Sequence, residues 1–302
     1  MEELLRNYVR HLELERSISP YTVRNYSRDV QGFLDFLKQN RIDSLDKADR
    51  STLRRYLGWL NKKGVARASI NRKASALRSF YRYLIRENLV SDEPLATLSA
   101  PKLEKRLPTF LTHEEMAKLI EAPDTSTPQG LRDRAILELL YAAGLRVSEI
   151  VALDLNDIEL SSREIRVWGK GSKQRVVLMG TPAAEALNIY IKRGRIKLKG
   201  KTQTRALFLN RFGNRIVQRR IQRIIRKYAR QAGLELRVFP HIVRHTFATH
   251  MLDGGADLRV VQDLLGHARL SSTQVYTHVT RSQIRRNYLA AHPRSGSQKG
   301  AQ

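Results

Sequence analysis

The chain has 302 residues, no cysteine, and 55 Lys and Arg against 29 Asp and Glu, a formal net charge of +26 at pH 7. Its 41% hydrophobic residues are enough for two cores, and the surplus of cations points to a polyanionic partner, nucleic acid ahead of an anionic membrane surface. The lack of cysteine excludes disulfides, Cys-ligated metal centres and thiol nucleophiles; without a secretory leader or an apolar run near the ~18 residues that a span needs, a cytoplasmic chain with no membrane partner is expected.

The first hundred residues predict four amphipathic helices and no strand. The first runs from Glu2 to about Arg16. Ser19 caps the second, with Pro20 at its first position and an apolar stripe of Val23, Tyr26, Val30, Phe33, Phe36 and Leu37. The third carries Leu53, Leu57 and Leu60 and closes at Gly64. The fourth, from about Ala68 to Asn88, sets Ile70, Leu77, Phe80, Tyr81 and Leu84 inside a basic surface from which Arg72, Lys73 and Arg78 are candidate DNA contacts.

Between Ser91 and Thr112 the periodicity breaks into Pro94, Pro101, Pro108 and the charged stretch Lys102 to Arg106, which reads as an interdomain linker. A boundary near Leu103 divides the chain into residues 1–103 and 104–292, with 293–302 expected as a disordered tail. The two parts on either side of Leu103 carry net charges of +8 and +18, so both are basic.

Thr112 with Glu114 and Glu115 marks a helix start, and a strongly apolar helix follows from about Leu131 to Gly144. Next comes a β-hairpin: Ile165 and Val167 alternate with polar residues, Gly169 to Lys173 turn the chain, and Arg175 to Met179 return. Its tip carries Lys170 and Lys173. From Lys192 to Arg230 there are 15 Lys or Arg and no Asp or Glu; so complete an exclusion of acids predicts phosphate contact, with Arg215, Arg219, Arg220 and Arg223 as candidate DNA ligands.

Four places can carry chemistry. In Gly144-Leu145-Arg146-Val147-Ser148-Glu149, Arg146 and Glu149 share a helix face, as a plain surface ion pair also would. Lys170 offers a mobile ammonium, although a turn lysine is usually only solvated. Pro240 starts a helix with Val243, Phe247 and Met251 on its buried side and His241 and Arg244 beside them. Histidines at 241, 245 and 250 invite a metal reading, but the intervening glutamate of a zinc protease is missing and no carboxylate ligand is evident. Leu264-Leu265-Gly266-His267 is followed nine residues after His267 by Tyr276, one of eleven tyrosines. A phenol is only ~0.1% ionised at neutral pH, so as a nucleophile it needs neighbouring bases and cations.

Taken in order, Arg146, Lys170, His241-x-x-Arg244, Gly266-His267 and Tyr276 resemble the tyrosine recombinase (phage integrase) family, and over essentially the whole chain. The sequence looks most like the XerC/XerD group, since no arm-binding domain precedes the helical segment and Ala291-His292-Pro293-Arg294 follows the tyrosine. The resemblance implies a mainly α fold with a small β-sheet. An N-terminal helical core-binding (SAM-like) domain and an α+β catalytic domain would form a C-shaped clamp on DNA.

It also implies roles. Tyr276 is the nucleophile that forms a 3′-phosphotyrosyl link, Arg146 and Arg244 clamp the phosphate oxygens, and Lys170 protonates the leaving 5′-oxygen. His241 assists proton transfer, His267 hydrogen-bonds the phosphate, and Glu149 orients its neighbours. No cofactor is expected, because the covalent link conserves bond energy and its reversal needs no ATP. Four protomers, alike or paired with a paralogue, would act on two duplex sites to resolve chromosome dimers at cell division, with an FtsK-type translocase as candidate activator. The segment after Tyr276, with Ile284, Tyr288 and Leu289, is expected to pack into a neighbouring subunit. A mobile-element integrase, a non-cutting architectural protein and a type IB topoisomerase are the alternatives.

Overall fold

Side-chain caps start the N-terminal helices. The Ser19 hydroxyl accepts from the Thr22 N–H at 3.2 Å and the Asp49 carboxylate from the Thr52 N–H at 2.8 Å, satisfying amides that the first helical turn leaves unpaired. In this computed structural model the described residues are 1–15, 18–91, 110–169, 174–235, 237–266 and 281–296. The chain divides into two units, Met1–Leu107 and Pro108–Gln302.

The first unit holds α1 (Glu2–Leu14), α2 (Pro20–Gln39), α3 (Arg50–Lys62) and α4 (Arg67–Arg86). Their apolar faces meet around Tyr8, Phe33, Leu37, Leu53, Tyr56 and Phe80, all buried. Within this core lies the carboxylate of Asp29, on α2. Lys73 reaches it at 3.0 Å, and Arg72 pairs with its other oxygen. A buried carboxylate without such partners would be strongly destabilising, so these two cations, expected at DNA phosphates, have an internal task.

In the second unit Thr112 and Glu115 form a reciprocal capping box at α5 (His113–Glu121). Thr127 and Pro128 start α6 (Pro128–Ala142), which is buried along most of its length and forms the centre of this unit. The short α7 (Val147–Ala152) leads to an antiparallel sheet in the order β1 (Ile158–Glu159), β2 (Glu164–Trp168) and β3 (Gln174–Leu178). The expected hairpin is present, joined by a third strand of two residues, too short for alternation to reveal. Ile165 pairs with Val177 and Val167 with Arg175, which puts Arg175 on the same face as three buried aliphatic side chains.

Then follow α8 (Thr181–Ile189), a π-helical turn from Tyr190 to Arg195, α9 (Ile196–Lys199), α10 (Gln218–Gln231), α11 (Pro240–Asp253), α12 (Leu258–Leu265) and α13 (Arg281–Ala291). The α13 segment, expected to enter a neighbour, packs on its own unit. Tyr288 is buried and its hydroxyl donates to the Ala142 carbonyl at 2.9 Å. Residues 293–296, expected to be disordered, are also held in place: Arg294 donates to Glu138 at 2.6 Å and Ser295 is buried. On α6, Glu138 thus meets Arg294, and the Tyr141 carbonyl lies 3.3 Å from the His292 ring nitrogen.

Candidate active site

Two glycines in the left-handed region shape the site. Gly144 (φ +55°) ends α6; a Cβ there would lie 2.4 Å from the Phe247 ring, so only glycine permits the turn. The chain then places Arg146 at the N-cap of α7. Its backbone N–H donates to Glu149 Oε2 at 2.9 Å and its Nη1 to Oε1 at 3.0 Å. Gly266 (φ +64°) ends α12 in the same way and lies against the guanidinium of Arg175.

The last carbonyls of a helix lack intrahelical partners and carry its negative dipole end. At the end of α12 three successive carbonyls each accept from a different arginine. Leu264 accepts from Arg175 Nε at 3.3 Å, Leu265 from Arg244 Nη2 at 2.5 Å, and Gly266 from Arg146 Nη2 at 3.4 Å. Arg244, from α11, also donates to the Gly144 carbonyl at 2.5 Å. Arg146 and Arg244, far apart in sequence, thus converge on one helix end.

Glu149 is the carboxylate of this cluster. Arg175 grips it with both fork nitrogens, at 2.9 and 3.0 Å. Burial pushes its carboxyl up, but the hydrogen bonds from Arg175 and Arg146 prevail and hold it below the ordinary glutamate value. Burial, reinforced by Arg146 and Arg175 nearby, pulls Arg244 down to about 10, still protonated at neutral pH. Three guanidiniums around one carboxylate leave a cationic surplus that an anion would relieve.

His241 is exposed and stacks on Phe239, with ring centroids 5.7 Å apart and planes 7° from parallel. His250 lies elsewhere on α11, its Nδ1 2.8 Å from the Tyr141 hydroxyl and its ring 3.8 Å from that of His113; the histidines of α11 therefore face different neighbours. Lys170, Lys173, His267 and Tyr276 lie outside the described residues. In the sequence His267 directly follows Gly266, the residue whose carbonyl meets Arg146.

Of the candidate DNA ligands, Arg219, Arg220 and Arg223 lie exposed along α10 and border a groove with Phe212, and Arg78 is half-buried on α4. Arg215 is half-buried and engaged within its own unit, donating to the Val151 and Leu153 carbonyls at 2.8 and 2.9 Å and pairing with Asp154. Arg175 is a member of the cluster that the sequence reading did not single out. The signal for it is a cation at an inward position of a strand, in register with Val167.

Comparison with known proteins gives the family. Residues 5–88 match the phage integrase N-terminal SAM-like domain and residues 109–283, a range that spans Arg146 to Tyr276, match the phage integrase family. The chain belongs to that family, the tyrosine recombinases, which are DNA strand-exchange enzymes. It is 46% identical over 299 residues to tyrosine recombinase XerC of Pelotomaculum thermopropionicum, covering 96% of this chain and 97% of that protein. With tyrosine recombinase XerD of Staphylococcus epidermidis it shares 41% identity over 295 residues, 98% of this chain and 100% of the other. The crystal structure of XerA recombinase aligns at 34% identity with a TM-score of 0.51, covering 97% of this chain and 99% of that one. These relatives support site-specific recombination as its activity.

Proposed function

We propose that this chain is a Xer-type recombinase that cuts and rejoins duplex DNA through a 3′-phosphotyrosyl intermediate and serves to resolve chromosome dimers at cell division. The observation that carries the reading is the meeting of Arg146 and Arg244 at the end of α12, one residue before His267 in the chain.

The Tyr276 oxygen attacks the scissile phosphorus, the P–O5′ bond breaks, and Lys170 gives its proton to the departing 5′-oxygen. His241 receives the phenolic proton, and His267 hydrogen-bonds a phosphate oxygen. In the pentavalent transition state the phosphoryl oxygens gain charge, and two planar guanidiniums meet them better than point-charge ammoniums. Arg146 has the freer edge: Nη1 is held by Glu149 and Nη2 only by a long contact to Gly266. Attack by a partner strand's 5′-hydroxyl reverses each step, so the chemistry needs no external energy source.

The exposed arginines of α10 supply phosphate contacts to the duplex. Two such sites, four protomers, a paralogous recombinase and an FtsK-type translocase complete the proposed assembly; the pairing with a paralogue is supported by similarity to both XerC and XerD relatives.

The test is a plasmid with two directly repeated copies of the host's chromosomal recombination site, incubated with the protein and its paralogue. The reading expects two separate smaller circles. Relaxed circles of unchanged size would instead indicate a topoisomerase, and unaltered plasmid bound tightly by protein an architectural role.

A further inference from the structure

Arg175 takes no part in the cleavage steps described for Tyr276, yet it is the most fully engaged guanidinium of the cluster. Its Nη1 and Nη2 donate separately to the two oxygens of Glu149 at 2.9 and 3.0 Å, and its Nε donates to the Leu264 carbonyl at 3.3 Å. It sits on the inward face of the sheet opposite Val167, and Gly266 leaves room for it, since a Cβ there would be 3.1 Å from its central carbon. We propose that Arg175 is a positioning residue of the strand-cleavage step: without touching the phosphate, it fixes through Glu149 the direction in which Arg146 points, and it ties β3 to the end of α12. The proposal rests on the reading that Arg146 binds the scissile phosphate.

The physical argument concerns the plane of one carboxylate. Glu149 is shared by two guanidiniums, Arg175 with a two-point grip and Arg146 with one fork nitrogen and the backbone N–H. A bidentate pair fixes both the plane and the position of the carboxylate. With Arg175 in place, both oxygens of Glu149 are already engaged, so Arg146 meets only one of them with its fork and keeps its outer edge, 43% of the side chain exposed, for an anion. Without Arg175, the buried Glu149 has Arg146 as its remaining ionic partner and draws the whole fork onto itself, turning that edge away from the phosphate. Lysine at 175 would retain the charge but make a single-point contact and lose the Nε bond to Leu264.

The experiment uses the full chain and a nicked suicide duplex carrying the recombination site, and measures the single-turnover rate of covalent adduct formation at saturating DNA separately from the duplex Kd. Arg175→Lys is expected to slow adduct formation by about 100-fold, the scale of a small misplacement of a catalytic group, while Kd stays within about 2-fold. Arg175→Ala is expected to regain rate several-fold when guanidinium ion is added below denaturing concentration, a rescue that a purely structural role does not produce. Thermal unfolding of both variants is followed alongside, and Arg175→Lys serves if Arg175→Ala does not fold. An Arg175→Lys rate within about 3-fold of the wild type overturns the proposal, and so does a loss in Kd that matches the loss in rate, which would mean direct DNA contact. Arg146→Lys is the companion control. If the wild type forms adduct and Arg146→Lys does not, the phosphate reading stands whatever Arg175 does; if the wild type forms none, that reading fails and the proposal fails with it.

Discussion

At Arg146 and Arg244 what matters is a planar fork held at a set angle, Arg146 by Glu149 and Arg244 by the Gly144 and Leu265 carbonyls. On the proposed mechanism, replacing either by lysine keeps the charge and removes the second contact to the phosphoryl oxygens. Each change is expected to lower single-turnover cleavage by about 10²- to 10³-fold, the usual effect of removing one oxyanion donor, with a smaller loss in duplex affinity. The two arginines that meet at the end of α12 stand out in the sequence, because Gly144-Leu145-Arg146 and His241-x-x-Arg244 are local words. Arg72, Lys73 and Arg215 were not, since their partners, Asp29 and Asp154, lie 43, 44 and 61 residues away and only tertiary packing joins them. A basic side chain on a helix face looks alike in sequence whether it meets DNA or a buried carboxylate. Arg175 was missed for a related reason: a cation in a short alternating run reads as a solvated strand position until its register with Val167 is known.

At the scale of elements, the ends of α6 and α12 carry the site, and their glycines are the points at which it can be broken. Gly144→Ala adds a Cβ at positive φ and 2.4 Å from Phe247, and is expected to cost about 3 kcal/mol in urea unfolding, from backbone strain and overpacking together. It should also displace the Gly144 carbonyl that holds Arg244. The four N-terminal helices and the hairpin followed from apolar periodicity and caps such as Ser19. The docking of the tail that follows α13 did not, because Glu138 on α6 carries no visible sign of awaiting Arg294.

That docking is tied to His292, whose ring lies among Tyr141, Phe247 and Tyr288. Burial, with Arg294, His250 and His113 adding to it and the Tyr141 carbonyl opposing it, pulls the imidazole down from its ordinary 6.5 to about 3. The unfolded chain therefore takes up this proton first. The contribution is fully present above pH 6.5 and is lost as the pH falls towards 3, by up to ~1.4 kcal/mol for each pH unit. Chemical denaturation at several pH values should show His292→Phe losing less stability than the wild type across that range; equal slopes would contradict the assignment.

For the whole molecule, the formal charge of +26 and the acid-free stretch from Lys192 to Arg230 predict DNA affinity that falls steeply with salt. Replacing Arg219 and Arg223 together by alanine should weaken duplex binding and flatten the plot of log Kd against log salt by about 1 for each phosphate that is no longer neutralised. An unchanged slope would place the DNA on another face. The central claim, that Tyr276 becomes covalently joined to DNA at a site organised by Arg146 and Arg244, is tested most directly with a nicked suicide duplex carrying the recombination site. The account predicts a denaturation-resistant protein–DNA adduct with the wild type and none with Tyr276→Phe. An equal adduct from both would contradict it and move the nucleophile to another residue.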